Sequence, residues 1–145
     1  MLSIINAVSD EKVFRETLQL VKFWAMRKNI YSNILGYLGG VSLAIMVARV
    51  CQENKYVTQS AEMFFQFFKF FAEWNWPQSL GILTDNLNLA ALKQIDKDVS
   101  LYDIMPVITP SYEARVSTYR ITRSTFEVIT KEIRLAREKS EKAGL

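Results

Sequence analysis

Apolar residues recur at helical spacing over most of this chain, and glycine and proline punctuate it where they do not. Phe14, Thr17, Leu18, Val21, Trp24 and Ala25 fall on one 3.6-residue face. Asp10 stands just ahead of them as an N-cap, so the spacing predicts a first helix. Lys22 lies beside that stripe rather than in it. The helix should end near Lys28 and Asn29, where cations and an asparagine favour a carboxyl-terminal cap. A loop, IYSN, and a glycine-rich turn, GYLGG, lead to a second helix from about Val41 to Gln52. It is apolar on nearly every face, as expected of a helix at the centre of a bundle. A third helix starts near Ser60 and carries Met63, Phe64, Phe67, Phe68 and Phe71 at helical spacing, with Trp74 extending the stripe. Pro77 is expected to stop it, because a residue before proline is pushed out of the helical region.

Beyond Pro77 the pattern loosens. Leu87, Leu89 and Leu92 fit a short element, QIDKDVSLYD reads as polar turn, and MPVITP, bracketed by Pro106 and Pro110, reads as an extended segment packed on the helices. Residues 115–123 alternate polar and β-branched positions and are either extended or a lead-in to the last helix. Ser124 to Glu127 spells a capping box, S-x-x-E, and the helix after it should bury Phe126, Ile129, Ile133 and Ala136. Glu127–Lys131 and Glu138–Lys142 are spaced as i,i+4 pairs on its exposed face, and EKSEKAGL is expected to fray. With no repeat and no linker, residues 1–145 read as one all-α domain. It should be a compact helical bundle with irregular, proline-containing connections.

Composition narrows the chemistry. The chain has 145 residues, 50% hydrophobic and 23% charged, an ordinary globular mix. There is no histidine and a single cysteine, Cys51. That removes histidine-based nucleophile systems, an internal disulfide and a thiolate metal cluster, and fits a reducing compartment. The net charge of +3 is too small to announce a nucleic-acid binder by itself. The uncharged run from Ile34 to Ala48 is about 15 residues, short of the roughly 20 that span a bilayer, and glycines dilute it, so no membrane contact is expected. No P-loop, dinucleotide fingerprint or nucleophile elbow is present. Asp96, Asp98 and Asp103 invite a metal, but no strand-like run would hold their oxygens, and a solvated loop is the better reading.

Two groups of residues remain. FFQFFKFFAEWNW can be read as a base-stacking platform, though a core face between helices is the simpler account. Lys22, Tyr31, Asn33, Gly40 and Val41 form the other. A lysine is a point charge suited to phosphate, a tyrosine hydroxyl donates to the same group, and glycines before a helix let its amides approach an anion. A solvated lysine, a buried tyrosine and a glycine turn chosen for packing would give the same letters, and the residues alone leave both readings open.

The run VKFWAMRKNIYSNILGYLGGVSLAIMVARVCQ resembles the central domain of the eukaryotic nuclear poly(A) polymerase family. FRETLQLVKFWA, FFQFFKFFAEWNWP and DIMPVITPSYEARVSTYRIT extend the likeness in the same order, from about Ile5 to Phe126. Departures stand at Met26, Leu43, Arg120 and 95–97. The resemblance implies the central domain of an enzyme that adds AMP from ATP to the 3′ end of mRNA, releasing pyrophosphate. It also implies that catalytic aspartates holding Mg2+ or Mn2+ lie on a separate nucleotidyltransferase domain, so this segment alone should be inactive. By matched position, Lys22 and Tyr31 would contact the ATP phosphates, Gly40 and Val41 would line the nucleotide pocket, and Asn33 would stand nearby. Thr118, Arg120 and Arg123 would lie along the RNA. The implied partners are the enzyme's own catalytic and RNA-binding domains and 3′-end processing factors, and the implied location is the nucleus. The alternatives are a non-catalytic helical module, binding RNA or protein through residues 64–76 and the last helix, and a sister transferase adding another nucleotide.

Overall fold

The computed structural model describes residues 2–83, 104–110 and 116–143. Five helices make up the described part: α1 (Leu2–Asn6), α2 (Glu11–Arg27), α3 (Gly40–Glu53), α4 (Ser60–Glu73) and α5 (Arg123–Lys142). The expected all-α architecture holds. Among the described residues β structure is limited to isolated bridges.

α3 is the axis of the bundle. Every residue from Ser42 to Cys51 is buried, and α1, α2 and α4 all pack on it. This is what a run apolar at every position but Ser42 and Arg49 requires, since each face needs a neighbour to exclude water. α2 buries the stripe anticipated for it, with Val13 added, and the Asp10 carboxylate accepts from the Val13 amide at 3.2 Å. It stops where expected: Lys28 N–H donates to the Trp24 carbonyl at 3.0 Å, and Asn29 takes φ +58°, a left-handed conformation that asparagine tolerates better than most residues. Ile30 then drops into the core and fixes the direction of the following loop.

Four expectations are corrected. α4 ends at Glu73, with Trp74 already extended, so Pro77 is not its terminator. The chain turns earlier because the Trp74 indole N–H donates to the Gln78 carbonyl at 3.0 Å while its ring packs on Phe70, 5.4 Å between centroids. The cap of α5 is Thr122 rather than Ser124. Its hydroxyl accepts from Thr125 N–H at 3.2 Å, and the Thr125 hydroxyl accepts from Thr122 N–H at 2.9 Å. α5 also runs through Lys142, so most of the tail expected to fray is helical. Ile129 and Ile133 are buried as anticipated, while Phe126 and Ala136 are half-buried. Among the described residues the ion pairs on α5 are Arg137 with Glu141 at 3.0 Å and with Glu73 of α4 at 2.9 Å, in place of the two i,i+4 pairs anticipated.

The aromatic run is mainly core. Phe67, Phe68 and Phe71 are buried, and Phe68 meets Trp24 of α2 edge-on at 4.8 Å. MPVITP is extended and packed as expected. Leu80 N–H donates to Pro106 O, Ile108 N–H to Leu80 O and Ser117 N–H to Val107 O, with Met105, Val107 and Ile108 buried. Leu87, Leu89, Leu92 and the three aspartates at 96, 98 and 103 lie outside the described residues.

Candidate functional site

The residues singled out between Lys22 and Val41 converge at the amino end of α3. Gly39 is the N-cap and offers no capping side chain, so the first-turn amides are not claimed by one. A Cβ placed on Gly40 would stand 3.1 Å from the Tyr31 hydroxyl and 4.0 Å from Lys22 Nζ. An ammonium, a phenol and a helix amino terminus therefore surround a single glycine. Lys22 reaches it from α2, and Tyr31 from a loop braced by a bridge to Leu38. Asn33 lies alongside, its Cβ 3.1 Å from where a Cβ on Gly39 would be. Val41, in the first turn of α3, is 54% exposed, just ahead of the buried run from Ser42 to Cys51. Positive charge, hydroxyl donor and helix dipole all favour an anion here.

Two contacts that the sequence did not disclose fasten this cluster to the segment around Thr118. Ser42 Oγ of α3 and Ser117 Oγ are hydrogen-bonded at 2.9 Å. Gly36, at φ +85°, lets the loop lie against the Arg120 carbonyl; a Cβ there would come within 2.9 Å of that oxygen. Serines dilute an apolar run without announcing a partner 75 positions away, so only Gly36 carried any local signal. Thr118 itself is 4% exposed, and its hydroxyl is spent inside, donating to Met105 O and accepting from Val107 N–H at 3.1 Å. It holds the segment in place, with little of its own surface left to the solvent. Arg120 and Arg123 are exposed, over the rings of Tyr119 and Phe126 at 5.4 and 5.6 Å. Among the described residues no three Asp, Glu or Cys side chains are placed to hold a metal ion.

Residues 13–143 match the family model described as "Poly(A) polymerase central domain". The chain belongs to that family. All the site residues above fall within the match. The similar curated proteins include nuclear poly(A) polymerases 1, 4 and 2 of Arabidopsis thaliana, at 33%, 35% and 34% identity over 93%, 89% and 89% of this chain. The chain spans 19%, 18% and 16% of their lengths. In this poly(A) polymerase central domain α1 lies ahead of the matched region, where it covers α3 through the buried Ile4. No described helix is long and apolar enough to cross a membrane.

Proposed function

We propose that this chain is the central domain of a nuclear polynucleotide adenylyltransferase and forms one wall of its ATP site. The observation that carries this is the convergence of Lys22 Nζ and Tyr31 OH on Gly40 at an uncapped helix amino terminus. A triphosphate is the ligand that uses all three features: Lys22 neutralises charge, the Tyr31 hydroxyl donates to a phosphate oxygen, and the first-turn amides of α3 donate to a second oxygen at the positive end of the helix dipole. Gly40 leaves room for that approach, and Val41 offers an apolar surface to the nucleoside. Asn33 stands beside the turn, where it braces Gly39. In the reaction the RNA 3′ oxygen forms a bond to the α-phosphorus, the bond to the β-phosphate oxygen breaks, and pyrophosphate leaves. Lys22 and Tyr31 hold the departing end. Arg120 and Arg123 would face the RNA strand. The Mg2+ or Mn2+ of such an enzyme would be held by carboxylates other than those described, and no step here runs through it. Docking to catalytic and RNA-binding domains, and to 3′-end processing factors, belongs to the same proposal, as does the nuclear location.

The test is steady-state adenylation by the full-length protein. Lys22→Ala should lower kcat/KM for ATP roughly 10- to 150-fold, the worth of a hydrogen bond to a charged group. Kinetics equal to the parent's would overturn the assignment.

A further inference from the structure

A second pocket, about 200 Å³ in volume, opens where the end of α4 meets α5. Trp74 and Trp76, from the turn after α4, and Phe126, from α5, supply its aromatic walls; Asn75, Thr130 and Arg134 supply polar atoms. The walls are held from behind. Trp76 stacks on Phe71 at 6.3 Å with planes 14° apart, and Trp74 is fixed by Gln78, by Phe70 and by the Arg49 guanidinium 5.6 Å from its ring. This pocket uses Trp74 and Trp76, the last two aromatics of the run.

The charges around it are distinctive. Arg123, Phe126, Thr130 and Arg134 recur at intervals of three and four and so share one stripe of α5. Arg137, one turn further on, is tied to Glu73 and Glu141. Arg134 and Arg123 have no ion pair among the described residues, and Arg123 lies over the Phe126 ring. The backbones of these two unpaired arginines are therefore about 16 Å apart along the helix axis, with Arg134 lining the seat and Arg123 one turn beyond it over Phe126. Aromatic faces flanked by free cations suit an unstacked nucleobase and its neighbouring phosphates. Proline-rich peptides also dock on aromatic walls, but they bring no charge for the arginines.

We infer that the Trp74–Trp76–Phe126 pocket seats an unstacked base of single-stranded RNA, with Arg134 on a phosphate beside that base and Arg123 on a phosphate further along the strand. The inference rests on the reading that this chain works on RNA, but it uses none of the residues assigned to ATP.

The experiment titrates the full chain with a fluorescein-labelled oligoadenylate at two salt concentrations, and with an abasic oligomer of the same length. Arg134→Glu should weaken oligoadenylate binding about tenfold at low salt and flatten the log–log salt dependence by about one. Lys131→Glu makes the same charge change on α5 outside the pocket and should cost less than about twofold, on the expectation that a charge away from the strand is screened. Phe126→Leu keeps the apolar volume against the core while removing the ring, and should weaken oligoadenylate about tenfold while leaving the abasic oligomer unchanged. Circular dichroism of each variant confirms that it is folded. Equal losses for Arg134→Glu and Lys131→Glu, abasic binding as tight as oligoadenylate, or no binding at low salt would each overturn the pocket. Lys22→Ala should keep its oligoadenylate affinity and lose ATP; if it keeps both, the ATP assignment fails and the pocket stands.

Discussion

Gly40 and Gly36 are both glycines in a run of turns, yet they do opposite work. At Gly40 the backbone is already helical and the space in front of it holds the Tyr31 hydroxyl. Gly40→Ala should therefore leave urea stability nearly unchanged, while the methyl group pushes Tyr31 aside and weakens ATP binding several-fold, on the order of 1 kcal/mol. Gly36 has a left-handed φ and the Arg120 carbonyl in its way. Gly36→Ala should cost about 1–3 kcal/mol in urea unfolding, since strain and clash act together. Thr118 is the third informative residue. Thr118→Val preserves volume but strands the Met105 carbonyl and the Val107 amide, so it should destabilise by about 1–3 kcal/mol, again read from the urea midpoint. Gly40 was singled out in the sequence, with both the nucleotide and the packing reading open. The partners of Gly36 and Thr118 were not legible there, because they depend on what the fold brings opposite a positive φ and a buried hydroxyl.

At the scale of the element, the start of α5 is where two local signals compete. Ser124 and Glu127 spell the usual capping box, yet the chain caps at Thr122. The reason lies outside the box. Ile121, just ahead of the cap, is buried, and Phe126, four positions into the helix, packs against the same core. That is the geometry of a hydrophobic staple, and it sets the point where the backbone bends. Thr122→Ala should cost about 1 kcal/mol and Ser124→Ala a few tenths at most, a contrast that thermal or urea unfolding resolves. The helices with strong apolar periods, α2 and α3, were legible almost to the residue. α1 was not, because LSIIN is too short to show a period and is held by its seat on α3. The end of α4 was misjudged for a related reason: an indole hydrogen bond decides it, not the proline.

For the whole molecule, the informative group is Cys51, on the face of α3 that ends the buried run. Burial, and secondly the charge of Asp10, push its thiol up to about 12 from 9.0. An acid whose folded-state pKa is raised resists ionising in the native state. Its contribution to stability is complete below about pH 9 and is lost progressively as pH rises from there toward 12. Urea unfolding at successive alkaline pH values should show that decline, and Cys51→Ser or Cys51→Ala should remove its share of it. The native thiol should also react with disulfide reagents near pH 8 only as fast as the bundle opens, since the thiolate is the nucleophile.

The sequence by itself determined the helical class, the central placement of α3 and the group Lys22, Tyr31, Asn33, Gly40 and Val41. Each of these rests on local facts: a period, a run of apolar side chains, a spacing within one loop. Only the tertiary structure decided that Thr118 faces inward, that Ser42 and Ser117 tie the cluster around Gly40 to the segment beside Arg120, and that Trp74, Trp76 and Arg134 share a pocket. Those pairings join residues far apart in the chain. Neither partner's side chain changes the local pattern, so the packing of α3 against its neighbours had to be complete before they existed.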